Sequence, residues 1–150
     1  MNQSLTNLLL TVLSGVLVFT IGQLFLEFVL RPIQDYKRLK AKVAKLLVLH
    51  AQYYSNPWTP NNSGDCTPWK KASEDMREVA AEVAAFAETK PWQPLVFYSI
   101  PSGDKLNEAS GYLIGISNEF IVSSDFRIRE AAIEYPKLIK KNMRIKDKRR

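Results

Sequence analysis

Apolar positions recur along this chain in two rhythms. From Leu5 to Leu30 they are nearly continuous, with seventeen Leu, Ile, Val or Phe residues and one charge, Glu27, near the far end. At roughly −0.3 to −0.6 kcal/mol for each such residue at mid-bilayer, the run favours a helix in lipid, and its Thr, Ser and Gly are tolerated there. Twenty-six residues at about 1.5 Å each exceed a hydrocarbon core of about 30 Å, so the span tilts or its last turn emerges among the headgroups. Met1 to Asn7 holds no Lys or Arg, and the run ends in FLEFVLRP rather than at a small-residue cleavage site, so the expectation is an uncleaved anchor.

Beyond Arg31 the rhythm becomes helical. Pro32 is expected to kink the membrane helix or to end it and start another. Ile33, Tyr36, Leu39, Val43, Leu46, Leu47, His50, Tyr53 and Tyr54 then recur at three-to-four spacing, which predicts an amphipathic helix of about 22 residues. Residues 55–68, SNPWTPNNSGDCTP, have loop chemistry, and Thr67–Pro68–Trp69 reads as an N-cap followed by proline at the first helical position. The next helix runs to about Thr89 and buries Trp69, Ala72, Met76, Val79, Ala80, Val83 and Ala87, its alanines implying close packing. Residues 90–103 interrupt with three prolines among Trp92, Phe97 and Tyr98, and a lone strand there has no partner. A fourth helix, about Asp104 to Ile121, presents Leu106, Ala109, Leu113, Ile116 and Phe120. Ser124 or Asp125 caps a fifth helix carrying Phe126, Ile133, Leu138 and Ile139, which Pro136 should kink or divide. The predicted fold is all-α: an N-terminal transmembrane anchor (1–31), a small cytoplasmic antiparallel bundle of about four helices (32–136) and a basic tail (137–150).

Charge gives this architecture a direction. The chain carries a net +6, yet residues 31–56 hold six basic groups against Asp35 and residues 137–150 hold eight against Asp147, which leaves the rest acidic. Basic charge directly after the span places the N-terminus outside and the bundle in the cytoplasm by the positive-inside rule. With antiparallel helices, the third and fifth return toward the membrane. Arg31, Lys37, Arg38, Lys140, Lys141, Arg144, Lys146, Lys148, Arg149 and Arg150 then become candidates for contact with anionic lipid or another polyanion. Trp92, Phe97 and Tyr98 become interfacial aromatics, and the loop with Trp58 and Trp69 faces the cytoplasm as a partner loop.

Within the span, Thr11, Ser14, Gly15, Gly22 and Gln23 offer a contact face for a second helix, although ordinary small residues explain them equally. Glu27 snorkels to the headgroups beside Arg31 or bonds across that face. Catalytic chemistry is missing from the pattern. Gly is scarce, so no phosphate loop forms; His50 stands alone on an apolar face and reads as a packing residue; Cys66 lies in a loop with no cation beside it. One His and one Cys make neither a zinc site nor an intrachain disulfide, so no metal or cofactor is expected.

QLFLEFVLRPIQDYKRL, then LLVLHAQYYSNP and GYLIGISNEF, resemble a group of small single-span bacterial membrane proteins of uncharacterised activity. The matching residues are Pro32, Ile33, Gln34, Tyr54, Asn56, Leu113, Ile114, Gly115, Ser117 and Asn118, in patches over about half the chain. The resemblance implies a bacterial inner-membrane setting and no activity. The expected function is a non-enzymatic, self-associating scaffold or a small accessory subunit of a membrane complex. The alternative is a membrane-tethered module that binds nucleic acid or anionic lipid through its basic C-terminal segment, with nucleic acid the less favoured.

Overall fold

A computed structural model describes residues 2–59, 64–89, 98–120 and 126–146, with backbone alone at 2 and 126–133. Trp92, Phe97, Lys148, Arg149, Arg150 and the caps read at Ser124 and Asp125 lie outside the described residues. The chain is all-helical, without β-strands among the described residues.

Helix α1 (Asn2–Phe25) passes through a π-helical turn (Leu26–Leu30) into α2 (Arg31–Leu49). Proline explains the turn. Pro32 has no N–H to return to the carbonyl four residues back, and its ring would crowd that carbonyl. In the widened turn the Arg31 N–H instead reaches the Leu26 carbonyl, five residues back. Of the two outcomes expected at Pro32, an end is therefore excluded: Gln3–Leu49 is one helix of 47 residues, about 70 Å long. That helix is long and apolar enough to cross a membrane. Its large apolar side chains from Leu5 to Phe28 are 49–72% exposed, and none enters the core.

After the irregular residue His50 come a short α3 (Ala51–Ser55), α4 (Thr67–Thr89), α5 (Gly103–Glu119) and α6 (Phe126–Asn142). Cross-contacts define their directions. Along α2 and α4, Tyr36 meets Phe86, Lys42 meets Glu82 and His50 meets Asp75, so these two run antiparallel. Between α4 and α5 the Ser73 hydroxyl donates to the Ser117 carbonyl (2.9 Å) and the Ser110 hydroxyl to the Ala80 carbonyl (2.8 Å). Between α5 and α6, Asn142 donates to Glu108, and Tyr112 stacks on Tyr135. Finally the Tyr36 hydroxyl donates to the Met143 carbonyl (2.6 Å), which closes α6 onto α2. The bundle thus has an α1 end, where α4 and α6 finish, and a far end, where α3, the start of α4 and the end of α5 meet.

The core follows the helical rhythm closely. Leu39, Val43, Leu46, Leu47, Ala72, Met76, Val79, Ala80, Val83, Leu106, Ala109, Leu113, Ile116 and Phe120 are buried as expected. Tyr53, Tyr54 and Trp69 are half-buried at its edge. Small residues on the facing sides of α4 and α5 let the two backbones approach, and buried serine hydroxyls find carbonyls on the neighbouring helix.

Three expectations change in the structure. The first turn of α4 is capped from Asp65, whose Oδ1 accepts from the Thr67 N–H (2.9 Å) and hydroxyl (2.6 Å), so Thr67 is donor rather than cap. Pro136 does not divide α6. The buried Ile139 and Met143, and the Tyr135 ring seated over Gly115, hold the helix through it against a proline penalty of about 3 kcal/mol. The boundary drawn at 137 falls inside α6, so the first basic residues of the tail belong to the bundle.

Candidate functional site

The outward face of α1 is chemically quiet. Thr11, Ser14 and Thr20 donate to carbonyls of their own helix at 2.9, 2.9 and 2.8 Å, so their hydroxyls are satisfied without an outside partner. A methyl group added at Gly15 or Gly22 would meet nothing within 4 Å, and Gln23 is exposed, so the contact face is open within the single chain.

The cationic site lies at the α1 end. Glu27 pairs with Arg31, and Arg38 lies 3.6 Å from Asp35, both pairs exposed. Lys37 and Lys141 are exposed, while Lys140 is half-buried. The return of α6 then assembles a group that sequence reasoning missed. Lys40 Nζ donates to the Arg144 carbonyl (2.5 Å), and Arg144 Nη1 donates to the Tyr98 carbonyl (2.6 Å). Burial, then the charges of Lys146 and Arg144, hold the Lys40 ammonium below its usual pKa. Among the described residues, no carboxylate forms an ion pair with any of the three. The signal for Lys40 in the sequence was only its position one turn beyond Lys37; its partners are more than a hundred residues away. Tyr98, expected as an interfacial aromatic, stands 90% exposed at this end.

At the far end an open cleft of about 550 Å³ lies between α3 and the start of α4. Leu49, Tyr53, Pro68 and Ala72 form its apolar walls, with His50, Asp65, Lys71 and Asp75 as polar groups. His50 is 6% exposed, packs against Tyr53 and Phe120, and places Nε2 3.1 Å from Asp75 Oδ2. It is the packing residue the sequence suggested, except that its buried Nδ1 has no hydrogen-bond partner. Among the described residues, no hydroxyl or thiol is bonded to the ring. Hydrogen bonds from Thr67 hold the Asp65 carboxyl below its usual pKa. Cys66 is half-buried at the entry to α4. Among the described residues no three His, Cys, Asp or Glu side chains could hold a metal ion. The indole N–H groups of the expected partner loop are used internally, Trp58 donating to the Gly64 carbonyl and Trp69 to the Asn56 carbonyl.

No protein-family model matches this chain, and no curated protein or solved structure is similar to it.

Proposed function

We propose that this chain is a non-catalytic, single-pass membrane scaffold or small accessory subunit, which assembles with itself or with other membrane proteins through α1. In this reading α1 spans a bacterial inner membrane with its N-terminal end outside, and the basic stretch after Arg31 keeps the bundle in the cytoplasm. The observation that carries it is the continuity of α1 with α2 through the π-helical turn, together with an α1 surface that contributes nothing to the core. A bundle built on the extension of its own anchor suits holding a partner at a set height above the bilayer. The open face at Thr11, Ser14, Gly15, Gly22 and Gln23 is where a second helix would approach. Native mass spectrometry of the full chain in gentle detergent tests this. A homo-oligomer or a copurifying membrane subunit is expected, and a monodisperse monomer without a copurifying protein would overturn it.

A second reading is supported by the return of α6, which brings Lys140, Lys141, Arg144 and Lys146 beside the start of α2. It makes the chain a membrane-tethered binder of a polyanion, either anionic lipid or nucleic acid. Lipid is the nearer polyanion for a group beside the span.

A further inference from the structure

Arg144 stands in a place that ordinarily belongs to glycine. Its φ is 52°, the one positive value at a non-glycine among the described residues. The Ile145 N–H reaches back to the Lys140 carbonyl (2.8 Å) and the Arg144 N–H to the Lys141 carbonyl (3.2 Å). These two bonds are those of a Schellman motif closing α6, with arginine at the left-handed position. An L side chain there is strained where glycine is not. The position is thus a costly one at which to keep a long cation, and strain of this kind concentrates at binding sites.

Its surroundings add to the cost. The charges of Lys146 and Arg144 both act on the Lys40 ammonium, and the hydrogen bonds of Lys40 to the Arg144 carbonyl and of Arg144 to the Tyr98 carbonyl hold α2, the turn at Tyr98 and the end of α6 together. Lys37 lies on the same side of α2, one turn nearer α1. Nine residues separate Arg31 from Lys40, about 14 Å along the helix, and long basic side chains at that height reach down toward headgroups at the end of the span. We propose that Lys40, Arg144 and Lys146, with Lys37 beneath them and Tyr98 at their edge, form a site for the phosphate of an anionic phospholipid headgroup. The site rests on the reading that α1 spans the membrane. It differs from a free basic tail, because three segments of the folded bundle build it.

Arg144→Gly is the discriminating variant, since it removes the charge and relieves the backbone. The full chain is reconstituted into nanodiscs of phosphatidylcholine with phosphatidylglycerol, and the lipids that stay bound are identified by native mass spectrometry. Wild type is expected to retain phosphatidylglycerol in preference. Arg144→Gly and Lys40→Gln each lower that preference about five-fold, the value of one cation near an anionic surface, while Arg144→Gly keeps a cooperative melt, the relieved backbone offsetting the lost bond to Tyr98. A merely structural arginine would instead leave the preference intact when glycine replaces it, which overturns the site. So does protection of the Asn142–Lys146 amides from exchange by inorganic phosphate in discs of phosphatidylcholine alone, or binding of DNA that Arg144→Gly abolishes while lipid retention is unchanged. A chain that fails to stay in the disc overturns the membrane reading and the site with it. One that stays but shows no anionic preference overturns the site alone.

Discussion

Tyr36 joins α2, the continuation of α1, to the last turn of the bundle. Burial raises its phenol to about 12, with the Arg144 charge pulling the other way. The folded pKa lies above the unfolded value of 10.0, so the folded state holds this proton more tightly. Its contribution is complete below pH 10 and is lost as pH rises toward 12, about 2 to 3 kcal/mol over that window. Tyr36→Phe should cost about 1 kcal/mol at pH 7, since it leaves the Met143 carbonyl without its donor, and should flatten the alkaline loss. Denaturant melts of both proteins at pH 7, 10 and 12 check this. Gly115 supplies a second test. A methyl group there would stand 2.7 Å from Tyr135 Cε2, so Gly115→Ala should destabilise by about 1 to 2 kcal/mol. In a Tyr135→Ala background the same substitution should stabilise by up to about 1 kcal/mol, because only the helix preference of alanine remains. The core residues were legible in the sequence because burial on a helix obeys its period. The Tyr135–Gly115 seat and the left-handed Arg144 were not, since the first depends on how α5 and α6 pack and the second on how α6 closes.

At the scale of elements, the helices were read nearly to their ends, except that His50 interrupts the one expected to run from Ile33 through Tyr54; the other errors sit at boundaries where a side chain or a proline competes with the backbone. Asp65 took the capping role assigned to Thr67 because its carboxylate collects two donors from Thr67 at once. Its pKa is held down by those bonds, so the cap is fully present above the unfolded carboxylate range and fades as pH falls through the lowered folded value. Asp65→Ala should speed amide exchange across the first turn of α4 at neutral pH, leave α5 unchanged, and lose its difference from wild type in strong acid; hydrogen exchange followed by mass spectrometry reads all three. The two prolines judged disruptive were accommodated differently. Pro32 widened a turn that no core contact constrains, whereas around Pro136 the packing of Tyr135, Ile139 and Met143 outweighs the lost hydrogen bond.

For the molecule as a whole, the expected alternation of helix directions is what brings the end of α6 back to the start of α2. Lys40 was counted in the basic stretch but not singled out, because charge counting sees density along the chain, while its neighbours Arg144 and Lys146 arrive through the fold. The far-end cleft was equally hidden, because Asp75 comes to His50 only through the packing of α4 against the end of α2. One long helix, apolar for half its length and bundled for the other half, supports the proposal that a membrane, rather than another part of this chain, covers α1. Protease treatment of right-side-out inner-membrane vesicles carrying the full chain, with a tag at each terminus, tests this most directly. The account predicts loss of the N-terminal tag alone, with the bundle and C-terminal tag protected until detergent is added. Digestion of the bundle in sealed vesicles, or release of the intact chain into the soluble fraction, would contradict it.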